Sequence, residues 1–588
     1  MRKLIGIILV LACLSLNVPA QKADMPLPLN FDNYYTLEQV YRALETLHKA
    51  YPEITSLETA GTTEEGRPIM AMTVNNPKTG ASLEKPGVYV DGNIHGNEIQ
   101  GGEICLYLLD NLLGKYGTNK DITALVDKNA FYIVPVVNPD GRYHFMKDAN
   151  TDSSNRSLRI PMDDDRDGLV DEDFPDDLDG DGNICQMRRR DPYGRLKTDP
   201  EDPRLMIPVK PGEKGEWTIL GQEGIDNDGD GRVNEDSEGF VDPNRNWGFD
   251  WAPPYVQGGA GEYPFQSLGF QGLSRWIWAK TNICIAWSFH NTGGMFLRGP
   301  SRKGLGEYPP QDIAVYDYIG KQAERITPGY KYLIGWKDLY TTYGDSVEWL
   351  TQMMGAYGYV GEVYQVETET FLGAGEKPKG QAGEEGDILT RIMGGSRDQE
   401  RIKFNDHVAL GELYKPWKPF DHPLYGEIEI GGWTKMSTRL SAPFMLKDLV
   451  HRNAMSVLFS AKHTPDISLD VTEVKEVGKS LYRVRTRLAN SKAIPTMAYY
   501  SQKVKLYPKD MLRISGNSAE VVAGGVLSDP FNDHVTYKKH KPQVQFLVVP
   551  GFGKVDHQFL ISGKGDVTVS YESRHGGKIE KTVRLKED

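Results

Sequence analysis

The chain has 588 residues, 39% of them hydrophobic and 25% charged, a globular composition too long for one ordinary core. A net charge of −13 argues against nucleic acid as a partner, and no apolar run after the first twenty residues is long enough to span a bilayer. Much of the negative charge sits in one acidic stretch, so it is a local feature.

The opening "MRKLIGIILVLACLSLNVPAQ" pairs Arg2 and Lys3 with an apolar centre and a Val18-Pro19-Ala20 cleavage site. This predicts a signal peptide over 1–20 and export to the periplasm, the cell surface or the medium. Cys13 leaves with that segment, and Cys105, Cys185 and Cys284 are too scattered for a disulfide framework or a metal-spaced pair.

A helix is expected from Leu37 to Tyr51, ahead of Pro52. Strands follow in "GRPIMAMTVNN" and "PGVYVDGNI", then a helix from about Glu98, then the strand "AFYIVPVV" leading into a turn at "NPDG". The alternation resumes with helix "QGLSRWIWAKT", strand "ICIAWSFH", helix "PQDIAVYDYIGKQAERI", a helix near "DSVEWLTQMMGAYG" and strand "YVGEVY". Such a pattern predicts an α/β fold with a mixed, mostly parallel sheet flanked by helices. It is interrupted by an acidic insert over 161–241. Beyond 464, alternating segments such as "DISLDVTEVKEV", "LYRVRTRLAN", "QKVKLYP" and "KGDVTVSYESR" predict a C-terminal β-sandwich over 464–588, which leaves 21–463 as the main domain.

His95 and Glu98, in "YVDGNIHGNEIQGGE", stand where a buried strand meets a helix. They would suit a helix start, whose dipole favours a carboxylate, but imidazole nitrogen and carboxylate oxygen also suit zinc. The best third ligand is His290, at the carboxyl end of "NICIAWSFH", because ligands gather outside the carboxyl ends of strands in open α/β sheets.

The set "HGNE", "NPDG", "VDPNRNW", "SFH" and "GYVGEVY", in that order, resembles the funnel-type zinc carboxypeptidases, the M14-like metallocarboxypeptidases. The likeness runs roughly from Asn30 to Phe371, with the insert interrupting it. It implies that His95, Glu98 and His290 hold zinc. It also implies that Glu362, at the family's fixed interval after "GDSVEW", is the general base and later the proton donor. Asn244 and Arg245 would clamp a terminal carboxylate, Tyr340 would close over the substrate, and Arg159 would steady the oxyanion, with Arg188 as runner-up. Glu367 and Glu369 are poorer substitutes for Glu362. Val347 stands where the family sets side-chain preference; being apolar, it implies apolar or aromatic C-terminal residues rather than basic ones. Asn97 and Thr292 depart from the residues common in the family, which alters substrate contacts.

Within the insert, three stretches have alternate carboxylates with a glycine bend, the opening of a calcium loop. They supply Asp163, Asp165 and Asp167; Asp177, Asp179 and Asp181; and Asp226, Asp228 and Asp230. The expectation is therefore an exported zinc metallocarboxypeptidase, with calcium as a further candidate ion and a peptide bearing a free C-terminal carboxylate as substrate. Two alternatives stay open. One is a zinc amidase or peptidase acting on peptidoglycan stem peptides or N-acyl amino acids. The other is a calcium-dependent, non-catalytic binding protein.

Overall fold

The computed structural model describes residues 24–163, 168–236, 239–364, 398–437 and 439–585. The signal segment 1–20, Asp165, Asp167, Glu367 and Glu369 lie outside the described residues. The main sheet has eight strands: β1 (Thr55–Thr62), β2 (Pro68–Val74), β3 (Gly87–Gly92), β4 (Ala130–Val134), β5 (Ile283–Asn291), β6 (Met295–Arg298), β7 (Lys331–Ile334) and β8 (Tyr357–Val363). Their order across the sheet is β1-β2-β4-β3-β5-β8-β6-β7. The centre, β4-β3-β5-β8, is parallel, while β1-β2, β2-β4 and β6-β8 are antiparallel. Every residue of β3, β4 and β5 is buried, as their continuous apolar sequences require of central strands.

One face of this sheet is covered by α1 (Leu37–Ala50), α2 (Gln100–Lys115), α6 (Pro310–Ile326) and a long helix α9 (Pro443–Ala461). The other is covered by α5 (Leu268–Ala279) and α7 (Ser346–Met354). Between them in sequence come α3 (Lys120–Lys128), α4 (Pro139–Lys147) and α8 (Asp398–His407). Helix α1 follows from a capping box between Thr36 and Gln39 and from the stripe Leu37, Val40, Leu44 and Leu47, all buried. The α9 helix has little local signature in the sequence. Its inward face mixes Leu446, Val450 and Val457 with buried Asn453, Ser456 and Ser460, so its amphipathic signal is weak.

Two local expectations differ from the structure. "NPDG" opens α4, with the Asn138 side chain capping it by accepting from the Gly141 N–H. "QKVKLYP" is no strand: a short helix α10 (Tyr499–Val504) ends there, its first N–H groups donating to the Asp312 carboxylate of α6. That long-range cap is invisible in the local sequence.

The insert is more than an acidic loop. Strands at Gln186–Arg190, Leu196–Thr198, Met206–Pro208 and Trp217–Gln222 join Tyr414–His422 and Gly426–Trp433 in a six-stranded sheet with a small core of Cys185, Met187, Ile428 and Ile430. The last unit is one nine-stranded sheet from Ile467 to Leu585, rolled like a barrel so that its first and last long strands approach each other. The sandwich expected there is thus a single rolled sheet, closed over Val484, Leu512, Ile514, Phe559 and Val569.

A buried arginine fixes the strand ends where the candidate ligands lie. Arg142, on α4, is fully buried and donates to Asn93 Oδ1 at 3.1 Å, the Ile99 carbonyl at 3.0 Å, the Tyr35 carbonyl at 2.6 Å and Glu103 Oε1 at 2.5 Å. Removing it leaves Glu103 as an unpaired buried carboxylate, so Arg142→Met is expected to cost about 3–5 kcal/mol of stability. Urea unfolding measures this; a loss under about 1 kcal/mol would show that Glu103 is neutralised in some other way.

Candidate active site

The ligand candidates are assembled by backbone geometry at the carboxyl ends of β3 and β5. A Cβ on Gly92 would lie 2.3 Å from the Gly101 backbone, so glycine here lets α2 start directly against the strand end. Asn93 then turns the chain with φ of 58°, and its side chain donates to the carbonyls of His95 and Gly96. This directs His95 and Glu98 towards His290 on β5. His95 Nδ1 and His290 Nδ1 each lie 3.0 Å from Glu98 Oε2 and 3.2 Å from one another. All three residues are at most 2% exposed.

That donor set fits zinc. Tetrahedral coordination with Zn–N near 2.0–2.1 Å sets neighbouring donors about 3.3 Å apart, close to the observed triangle. The tautomer fits too. His95 Nε2 lies 3.0 Å from Asp242 Oδ1 and donates to it, which leaves the Nδ1 lone pair facing a carboxylate oxygen and a second imidazole. Buried lone pairs pointed at one another need a shared positive charge.

Charge around the triangle is arranged accordingly. Arg156 reaches Glu98 Oε1 at 2.6 Å and Asp242 Oδ2 at 3.4 Å, and Arg439 stands 3.9 Å from Glu98 Oε1. Burial would raise the Glu98 carboxyl, yet His95, Arg156 and His290 hold it well below its usual range. Asp242 likewise resists burial, held low by His95, Arg245 and Arg156.

Glu362 stands on β8, in register with His290 on β5. Burial, with Glu98 adding to it, pushes the Glu362 carboxyl up to about 7, although His290 pulls the other way. It shares a cleft of about 510 Å³ with Asn244, Arg245, Tyr340, Val347 and Val360. Asn244 Nδ2 lies 3.5 Å from His290 Nε2, and its Oδ1 accepts from the Ser346 N–H at the start of α7. Arg245 donates to the Asn244 carbonyl at 2.8 Å, with another nitrogen 3.5 Å from the Tyr340 hydroxyl. Tyr340 is 44% exposed at the rim, so it has room to move, whereas Val347 is 4% exposed in the wall.

The arginine expectation is corrected. Arg159 turns away to Asn155 Oδ1 at 2.8 Å and Glu65 Oε1 at 3.1 Å. Arg188 belongs to the insert sheet, where its guanidinium stacks between Trp217 and Trp417 and bonds Glu429. In "NRSLR" it is Arg156, three residues before Arg159, that faces the cluster. The backbone explains this: Leu158 bridges to Val241, and Arg156 lies on the site side of that bridge. Asp242 was within reach of sequence reading, inside "VDPNRNW"; Arg439 carried no local signal. Asn97 is buried and donates to the Asp152 carbonyl, and the Thr292 hydroxyl donates to the Tyr364 carbonyl. The acidic loops lie apart in the insert. There Asp163 accepts from the Gly168 N–H, Asp177 from Asp181 and Gly182, and Asp226 from Gly229 and Gly231. Lysines pair with Asp179 and Asp181, and Asp228 and Asp230 accept bonds within their own loop.

Asp242→Ala is expected to weaken zinc binding about 10–100-fold, because it removes the acceptor that orients His95. Competition with a chromogenic chelator measures it; unchanged affinity would mean that Asp242 does not set the tautomer.

A family model described as zinc carboxypeptidase (Peptidase_M14) matches residues 40–198, and one for a domain of unknown function (DUF8731) matches 466–584, within the rolled sheet. Carboxypeptidase A2 of Rattus norvegicus is 33% identical over 121 residues, covering 21% of this chain and 28% of that protein. The inactive metallocarboxypeptidase ECM14 of Saccharomyces cerevisiae is 34% identical over 112 residues, covering 19% and 26%. Among solved structures, thrombin activatable fibrinolysis inhibitor aligns over 74% of this chain and 75% of that one, with a TM-score of 0.44 and 15% identity. Carboxypeptidase A from Helicoverpa armigera aligns over 65% and 75%, with a TM-score of 0.40 and 18% identity. The chain thus spans under a third of the length of these curated relatives. The matched region contains His95, Glu98 and Arg156, while His290, Arg245 and Glu362 lie beyond it. The likeness to the Peptidase_M14 zinc carboxypeptidase family thus rests on residues 40–198, the part of the chain that carries His95, Glu98 and Arg156.

Proposed function

We propose that the protein is an exported zinc metallocarboxypeptidase that removes C-terminal residues from peptides. The observation that carries this is one cleft in which Glu362 and the clamp Asn244–Arg245 adjoin the His95–Glu98–His290 triangle. When bound by those three residues, zinc supplies Lewis-acid polarisation of a carbonyl and acidification of water.

The chain's own groups do the rest. The Arg245 fork takes the two oxygens of a terminal α-carboxylate, so only the last peptide bond reaches the reactive end of the cleft. Glu362 accepts a proton as water adds to the scissile carbonyl carbon. It returns that proton to the amide nitrogen as the C–N bond breaks, which yields an acid and an amine. Arg156, fixed by Glu98 and Asp242, offers a preorganised donor to the oxygen that becomes negative. Tyr340 shields the bound end from water. Val347 in the wall supports a preference for apolar or aromatic C-terminal side chains.

The amidase reading rested on Asn97 and Thr292, but both side chains are engaged with backbone carbonyls, so nothing in the cleft favours it. A purely calcium-dependent binding role would leave the buried triangle without a purpose. Export is supported by the pattern of residues 1–20, and a mature N-terminus at Gln21 would be its signature.

Glu362→Gln is expected to lower kcat about 10²–10⁴-fold on a C-terminal phenylalanine peptide while zinc content stays at wild type. Full activity in that variant would overturn the mechanism. Arg156→Ala should cost about 10²–10³-fold in kcat while Arg159→Ala stays near wild type; the reverse ranking would restore Arg159 to the role. Amidation of the peptide C-terminus should abolish cleavage, and an amidated peptide cleaved at the same rate would rule out the carboxylate clamp.

A further inference from the structure

A second group of oxygen donors lies in the insert, away from the cleft. The segments 163–173, "DDDRDGLVDED", and 226–236, "DNDGDGRVNED", share one spacing of carboxylates and glycine. In the fold their ends interlock. Asp236 Oδ2 accepts the N–H groups of Glu172 and Asp173, at 2.7 and 3.0 Å, and Asp173 Oδ2 accepts the Asn234 N–H at 3.0 Å. This exchange brings Asp173, from the first segment, against the loop of the second. One oxygen each of Asp173, Asp228 and Glu235 then lie within 4.8 Å of one another, and Asp228 also belongs to such a group with Asp226 and Asp230.

Clustered carboxylates alone would be an ordinary acidic surface. Two features set this cluster apart. Asp173 is 0% exposed, and both carboxylate oxygens of Glu235 are sealed from solvent with no hydrogen-bond partner, a costly state for an anion. Among the described residues no lysine or arginine pairs with Asp173, Asp228 or Glu235. The contrast with the neighbouring group of Asp177, Asp179 and Glu223 is direct. There Glu223 already accepts three backbone N–H groups, and Lys418 stands 3.3 Å from Asp179. The protein neutralises that group itself and leaves the first one to something else.

We propose that Asp173, Asp228 and Glu235, with the Asp226–Gly231 loop wrapped beside them, form a binding site for a hard divalent cation, calcium by its number of oxygen donors. Calcium takes six to eight oxygens in flexible geometry, which carboxylates from the two segments of the insert can provide together with water. The ion would replace the missing partner of Glu235 and tie the two acidic segments to each other. The site differs from a self-contained loop, because Asp173 is supplied from more than fifty residues upstream of Asp228.

The test uses full-length, zinc-loaded protein in calcium-free buffer, titrated with calcium chloride and followed by calorimetry and thermal unfolding. Wild type is expected to bind with a Kd of about 10⁻⁴ M or tighter and to melt higher with calcium. Glu235→Gln should bind at least about tenfold more weakly. In calcium-free buffer it should melt at or above wild type, because it removes an unpartnered buried charge. That opposite sign is what a merely structural carboxylate would not give. The proposal is overturned if wild type shows no calcium heat at millimolar concentration, or if Glu235→Gln binds as wild type does. It is equally overturned if the variant melts lower than wild type without calcium.

Discussion

Two imidazole nitrogens and one carboxylate oxygen face each other at 3.0 to 3.2 Å inside the protein, and the surrounding structure answers to that confrontation. Each member is cut off from water, so its lone pairs cannot be satisfied by solvent and must share a positive charge. Asp242 sets the proton on the far nitrogen of His95, and Arg156 braces the outer oxygen of Glu98. The same two anions fix Arg156, so one group of charges both presents the ligands and positions a cation beside the cleft.

What keeps the three together is a sheet and a buried arginine rather than covalent staples. The cysteines Cys105, Cys185 and Cys284 are free and buried. β3 and β5 are adjacent parallel strands, so residues just beyond their carboxyl ends are neighbours although nearly two hundred residues separate them. The loop after β3 has no regular structure to hold it, and Arg142 substitutes for that by binding Asn93, Ile99, Tyr35 and Glu103 at once. A guanidinium suits this task because its planar donors can serve several acceptors in fixed directions.

The insert and the rolled sheet are joined to this core at different places. The insert sheet borrows its outer strands, Tyr414–His422 and Gly426–Trp433, from beyond the last strand of the main sheet, so the chain crosses back to complete it. Arg188, stacked between two tryptophans and paired with Glu429, pins that crossing. The rolled sheet is tied through Asp312 on α6, whose carboxylate accepts the first N–H groups of α10 while the Tyr357 hydroxyl of β8 donates to it from the main sheet. Both attachments run through carboxylates whose partners come from distant sequence, Asp312 buried and Glu429 partly exposed.

Sequence by itself determined the elements whose burial is uniform or whose period is strong: β3, β5 and β8 as continuous apolar runs, and α1 by its stripe and capping box. It also offered His95, Glu98 and His290 as candidates at strand ends, which the fold brings together, while Glu362 came from the family resemblance alone. Tertiary structure alone decided which side chains face the cluster. Arg156 and Arg159 are three residues apart in one irregular segment, and only the bridge of Leu158 to Val241 selects between them. Arg439, α9 and the strands completing the insert sheet have their partners far away in the chain. Local pattern carries the period of a segment, whereas long-range pairing of charges and edges is settled only when the whole chain has packed.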